Sequence, residues 1–264
     1  MLRIAILGVG KLGESIAEGI LSAGTAGVLF LVERSPERRN EVARKYRATV
    51  TVDPVGACKF ADVIILAVKP GDLLELCKII APTMTDKKVV ISAAAGIVLE
   101  RIKEALGGHE AVARVMPNLA ASTNTAVSGV FSPNELALQS AKSIFDDLGT
   151  CYVCSTEQQI NELTGLSASG PGLLAEFLNC MQMAAEELGI QNSKEIVRQM
   201  AVGTFKVIDA NKEDMANFVA RVRTPGGTTA AGIEKFEKFG MRQMLREALE
   251  ASIRRAGELD KEYP

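Results

Sequence analysis

Seven short, continuously apolar runs punctuate the first 154 positions, at 2–7, 28–32, 63–68, 89–93, 112–116, 126–131 and 151–154. Runs this short and this apolar predict strands buried on both faces. Between most of them apolar positions recur at helical spacing, in segments that follow Gly13, Pro36, Gly71, Val98 and Pro133. Strands joined by helices predict a mostly parallel sheet covered on both sides, a doubly wound α/β domain. From about Thr156 the strand signal stops and every segment reads as helix. In "SASGPGLLAEFLNCMQMAAEELGI" the residues Leu173, Leu174, Phe177, Leu178, Met181, Ala185 and Leu188 form one wide apolar stripe that stops at Gly189. A helical domain of roughly 110 residues cannot easily bury several such stripes alone, so this face is expected to pack against a second subunit. The pattern therefore divides the chain at 155/156, into an α/β domain over 1–155 and a helical domain over 156–264, with "ELDKEYP" as a frayed end.

The first apolar run opens directly into "GVGKLGES", which places Gly8, Gly10 and Gly13 in G-x-G-x-x-G spacing ahead of a helix, with Glu33 twenty residues further on after the second run. That context is what a dinucleotide site requires. Gly8 permits a tight turn, Gly10 lets backbone approach a pyrophosphate, and Gly13 lets helix and sheet pack closely, with Lys11 and Leu12 between them. Glu33 suits a ribose 2′-OH and so NAD, whereas Arg34, Ser35 and the following "ERR" suit the 2′-phosphate of NADP. The choice between NADP and NAD stays open at this point. Two further runs end in proline: Ala67, Val68, Lys69 and Pro70 follow one, and Met116, Pro117 and Asn118 close another. Both are expected to floor the pocket for the nicotinamide, and Lys69 either serves the cofactor phosphates or is a solvated loop lysine.

Composition narrows the partners. Apolar residues make up 47% and charged residues 23%, with 30 basic against 32 acidic side chains, which gives no electrostatic case for nucleic acid or an anionic membrane. No apolar run has the length of a membrane span, and the N-terminus lacks the features of a signal peptide. Five cysteines without a secretion signal suggest reduced thiols and a cytoplasmic location. Cys151 and Cys154 form a CxxC, but on a strand these side chains face opposite ways, so core positions are expected and no metal.

One loop lies far from the glycine motif: "VRTPGGTTAAGIEKFE" at 222–237. Thr224 precedes a proline, Pro225 and Gly226 suit the centre of a type II turn, and after Gly227 the hydroxyls of Thr228 and Thr229 can cap a helix starting near Ala230. A helix N-terminus beside a sharp turn favours a small anion.

Together, "GVGKLGESIAEG", "ILAVKP", "ISAAAGI", "RVMPN", "LSASGP" and "RTPGGTTAAGIEKFE" resemble pyrroline-5-carboxylate reductase, in order and over nearly the whole chain. The resemblance implies an N-terminal Rossmann-type domain, a C-terminal all-helical dimerisation domain, and a homodimer or higher homo-oligomer. It also implies reduction of 1-pyrroline-5-carboxylate to proline with NADPH or NADH, the last step of proline biosynthesis. Carried over from the family, Thr224, Gly226, Gly227 and Thr229 grip the substrate carboxylate, helped by Thr228, while Ser169, Gly170 and Pro171 line the same pocket. Where the family usually has Thr-Pro after "MPN", this chain has Leu119 and Ala120. Pro54 stands where an asparagine commonly helps bind the cofactor ribose, and Asn179 stands at a helix glutamate.

His109, the only histidine, lies in the turn "GGHE", and residues 143–193 contain no Lys, Arg or His. A histidine or lysine acid of the hydroxyacid dehydrogenase kind is thus unsupported. A cyclic imine can arrive protonated and needs mainly an anchored carboxylate and excluded water, with Thr229 and backbone N–H groups orienting it. The alternatives are another imine reductase, a β-hydroxyacid-type dehydrogenase, and a dinucleotide-binding regulatory protein without turnover.

Overall fold

A computed structural model describes residues 2–262. The chain begins with β1 (Arg3–Leu7), α1 (Lys11–Ala23), β2 (Val28–Val32), α2 (Pro36–Lys45), β3 (Thr49–Thr51), α3 (Pro54–Phe60), β4 (Val63–Leu66) and α4 (Pro70–Ile80). It continues with β5 (Val89–Ser92), α5 (Leu99–Ala105), β6 (Val112–Met116), β7 (Ala126–Phe131), α6 (Glu135–Asp146), β8 (Gly149–Val153) and α7 (Glu157–Leu163). The eight strands form one sheet in the order β3-β2-β1-β4-β5-β6-β7-β8. Only the β6–β7 pairing is antiparallel.

Alternation along β1 sends Ile4 and Ile6 to one face, where they meet Ile16, Ile20 and Ile65, and Ala5 and Leu7 to the other, where they meet Ile64, Leu66 and Leu73. The strand order reverses direction beside β1, the crevice where such sheets hold their ligands. Four predicted strands shift at their ends: β1 begins at Arg3 and β5 ends at Ser92, one residue short of each run, the run at 63–68 leaves the sheet after Leu66, and that at 151–154 becomes Gly149–Val153. β3 was not expected, because "TVT" is too short to register as an apolar run. Cys151 and Cys154 are both buried but in separate clusters, Cys151 with Ile144 and Phe145, Cys154 with Met116 and Ile160.

The chain separates into two compact units. One holds the sheet, everything up to Ser169 and the residues from Ala251 onward, so that α7 and the turn after it stay with the strands beyond the 155/156 switch in pattern. Within this unit the end of the chain packs closely: Gly165 lies against Ile253, and a Cβ on Gly96 would come within 2.9 Å of Leu259. The other unit spans Gly170–Glu250. It contains α8 (Gly170–Glu187), α9 (Ser193–Asn211), α10 (Met215–Val222), α11 (Thr228–Lys238) and the start of α12 (Met241–Glu262). Gly189 ends the α8 turn with φ +78°, as its position predicts. The expected frayed tail is helical as far as Glu262; Tyr263 and Pro264 lie outside the described residues.

Within the second unit α8 has no buried residue, although Phe177 meets Phe236 edge-on at 6.2 Å. Leu174, Met183, Met200, Phe205 and Val219 are exposed. Apolar area on this scale, left open in one copy, is the signature of a face that another chain covers. None of the described helices is long and apolar enough to cross a membrane.

Candidate active site

The glycine turn at the head of α1 is set by close contacts. Gly8 holds φ +95°, donates its N–H to Val32 O at 2.9 Å, and a Cβ on it would stand 2.8 Å from Val68 Cγ1. A Cβ on Gly13 would run into Gly8 O, so helix and turn meet only because Gly13 has no side chain. Gly10 differs: open space lies where its side chain would be, and it caps α1 with no side-chain hydrogen bond. The first turn of α1, carrying exposed Lys11 and half-buried Leu12, therefore offers its N-terminal N–H groups to a ligand.

A cleft of about 500 Å³ opens over this turn. Of the residues predicted from sequence, Gly8, Gly10, Glu33, Arg34, Ala67, Val68 and Lys69 line it. Pro70 starts α4 just behind Lys69, and Ser35 spends its hydroxyl capping α2, accepting from Arg38 N at 3.2 Å. Asp72, the last residue of the stretch from Ala67 expected to floor the pocket, lines it too, whereas sequence reasoning missed Val52, Glu75, Leu76 and Ile79 of the outer wall. Pro54, noted only as a departure from the family, completes it as the first residue of α3. Exposed Val52 and Ile79 carry no signal of their own; only the approach of β3 to α4 makes them a surface for a flat apolar group.

Several charges at the cleft are already engaged. Glu33 accepts hydrogen bonds from Val9 N at 3.2 Å and Ser35 N at 2.9 Å, which ties the glycine turn to the start of α2. Arg34 reaches Asp72 at 2.8 Å. Arg38 binds Glu14, Glu41 and Val9 O, and Arg39 binds Glu33 O and Arg34 O. Burial works against ionisation of Glu14, but hydrogen bonds from Lys45, Tyr46 and Arg38 outweigh it and bring the carboxyl down to about 2.

Deeper in the same unit, Met116, Pro117 and Asn118 are buried at the end of β6 and are not part of the cleft lining. Asn118 works as a tie: Nδ2 donates to Ser167 O at 2.9 Å and Oδ1 accepts from Ala120 N at 3.1 Å. Ser167 belongs to a π-helical turn, Thr164–Ala168, of the kind often found beside functional sites. Buried Arg114 of β6 pairs with Glu157 at 2.5 Å, and the same carboxylate oxygen accepts from Leu99 N at 2.7 Å, joining α7 to the sheet and α5. Neither tie had a sequence signal, because each joins positions more than forty residues apart.

The "TPGGTT" stretch forms the expected turn in the second unit. Gly227 N donates to Thr224 O at 2.9 Å and Gly226 takes φ +73°. The helix begins earlier than predicted: α11 starts at Thr228, with Gly227 at its cap and no side-chain hydrogen bond there. Thr228 and Thr229 therefore sit in the first helical turn instead of capping it, and they and Thr224 are exposed. Ser169 closes the π turn by donating N–H to Thr164 O at 3.1 Å, and Gly170 and Pro171 begin α8.

Other reactive groups have structural places. His109 Nε2 meets Lys88 O at 3.0 Å, and Lys88 itself donates to carbonyls at the end of α3. Burial pushes the thiols of Cys58, Cys77 and Cys151 up to about 12, which makes them poor nucleophiles.

Comparison with known proteins gives two family matches. Residues 157–259 match the family described as pyrroline-5-carboxylate reductase dimerisation, and residues 3–96 match NADP oxidoreductase coenzyme F420-dependent. A pyrroline-5-carboxylate reductase of Synechocystis is 30% identical over 269 residues, covering 98% of this chain and 99% of the relative. Among solved structures, a pyrroline-5-carboxylate reductase from Coxiella burnetii superposes with a TM-score of 0.87 at 28% identity, covering 98% of each chain. The enzyme from Plasmodium falciparum, solved with NADP bound, shares the fold with a TM-score of 0.84 at 22% identity and 98% coverage of each chain.

Proposed function

The chain belongs to the pyrroline-5-carboxylate reductase family, and we propose that it reduces the cyclic imine 1-pyrroline-5-carboxylate to proline with a nicotinamide dinucleotide held in the cleft of its first unit. The observation that carries the cofactor reading is the cradle itself. Gly8 and Gly13 are packed too tightly to bear a side chain, Gly10 faces open space, and α1 begins without a side-chain cap. These residues fit a pyrophosphate, and the apolar outer wall of Val52, Pro54, Leu76 and Ile79 fits an adenine. When bound, NADH or NADPH supplies the hydride.

The chain's own residues then have modest tasks. A protonated imine already carries the proton that the product amine keeps, so hydride addition to the imine carbon completes the reduction without a protein acid. What the protein contributes is an anchor for the carboxylate and a site free of water. Thr224, Gly226, Gly227 and Thr228 serve as that anchor, with Thr229 orienting the imine. Ser169, Gly170 and Pro171 line the pocket, and Lys11, Leu12, Ser35, Pro70, Met116, Pro117 and Asn118 support the cofactor. Support comes from the turn at Gly226 and the uncapped first turn of α11, which together suit a small anion. The functional division follows the change in pattern, with cofactor binding in 1–155 and substrate binding and dimerisation in 156–264. The chain works as a homodimer or larger ring built through its C-terminal helices. Five free cysteines suit a reducing, cytoplasmic setting.

The competing reactions have less support. A β-hydroxyacid-type dehydrogenase would need a helix lysine, and α8 contains none. The deciding experiment is steady-state reduction of 1-pyrroline-5-carboxylate followed by cofactor absorbance, in wild type and in the Thr224→Ala/Thr229→Ala double variant. Turnover by wild type is expected, with kcat/KM lower by about a hundredfold in the variant, the scale of losing oriented hydrogen bonds to a charged group. An equally active variant would remove the threonines from the site. A wild type that binds dinucleotide and turns over no imine would favour the regulatory reading.

A further inference from the structure

Accepting the reading that this cleft holds a nicotinamide dinucleotide, we infer that the chain selects NADH over NADPH and that Glu33 is the residue that makes the choice. The sequence leaves the matter open because an acid and three arginines, Arg34, Arg38 and Arg39, crowd the end of β2. The structure separates them. Glu33 is fixed from both sides, by Val9 N at 3.2 Å and Ser35 N at 2.9 Å, with its carboxylate at the cleft wall. A carboxylate has about four acceptor sites, so after these two bonds it can still accept from two ribose hydroxyls. Toward a 2′-phosphate it presents only repulsion, and no rotation frees the space without abandoning two backbone N–H groups.

The guanidinium groups near this end of β2 already have partners. Arg38 is bound between Glu14 and Glu41, and Arg39 donates to Glu33 O at 3.1 Å and Arg34 O at 2.7 Å. Arg34 is the most accessible, its side chain 80% exposed, but it is paired with Asp72 at 2.8 Å. The charged residues lining the cleft are Glu33, Asp72 and Glu75 against Arg34 and Lys69, an excess of acid where NADP would bring further negative charge. Pro54 adds no N–H and no polar side chain to the cleft lining.

The test is a pair of titrations on the full-length protein, NADH and NADPH, each followed by the fluorescence of the bound nicotinamide, with steady-state kinetics alongside. Wild type is expected to bind NADH at least tenfold more tightly, with the same order in kcat/KM. In Glu33→Gln, which removes the charge and keeps the shape, the gap should close to within about threefold, chiefly through tighter NADPH binding; its thermal midpoint reports whether it is folded. Equal or tighter binding of NADPH by wild type overturns the inference while leaving the dinucleotide reading intact. So does a folded Glu33→Gln that keeps the full gap. Binding of neither cofactor overturns the dinucleotide reading and this inference with it.

Discussion

Glycine and carboxylate positions carry most of the consequence at the scale of single residues. Gly13 touches Gly8 O so closely that no side chain fits, and Gly13→Ala should push α1 off the sheet. The expected result is a loss of about 3 kcal/mol or more in denaturant unfolding, together with lost dinucleotide binding. Glu14 makes a different prediction. Its folded-state carboxyl is depressed to about 2 from 4.5, so its stabilising effect is fully present above pH 4.5 and fades as pH falls toward 2. Glu14→Gln should therefore be less stable than wild type by about 1–2 kcal/mol near pH 6, a modest figure because Lys45 and Arg38 are partly exposed. The gap should narrow progressively in melts run from pH 5 to pH 3. The glycine turn of Gly8, Gly10 and Gly13, with Glu33 beside it, was legible in the sequence because the spacing is local and the turn follows from backbone geometry. The ionic partners of Glu14 were not legible, since Arg38 and Lys45 meet it only once α2 lies beside α1.

Strands and helices were legible where burial repeats along the chain. Predicted limits at 28–32, 112–116 and 126–131 coincide with β2, β6 and β7, which are apolar throughout or nearly so. The short edge strand β3 escaped, as edge strands bury little and show no continuous run. The start of α11 shifted by two residues because Gly227, extended at φ −80° and with no room for a Cβ beside Thr224 Oγ1, takes the cap position ahead of either threonine. Between elements, Asn118 holds the π turn through Ser167 O. Asn118→Ala should cost about 1–3 kcal/mol from the two bonds lost. On the proposed reading, Asn118 supports the cofactor from outside the cleft lining, so kcat should fall more than dinucleotide affinity. Lost stability with kcat and affinity both unchanged would assign it a purely structural role.

In the molecule as a whole, the helical unit sets the requirement that a single chain cannot meet. Leu174 and Phe205 are 45% and 41% exposed, and α8 buries no residue within its own unit. Leu174→Glu should weaken self-association in sedimentation and make the thermal midpoint depend more steeply on protein concentration. An unchanged association state would place the interface on another face of these helices. The sequence by itself determined the doubly wound sheet, the glycine cradle, the family and the need for a partner, because each is written in periodicity or in motifs a few residues long. Only the tertiary structure decided which charges remain available at the cleft. Arg34, Arg38, Arg39 and Glu33 are neighbours in the chain, but Glu14 and Asp72, which claim two of the arginines, come from α1 and α4. Electrostatics act through space, so the charge balance at the end of β2 exists only after those helices have packed around it.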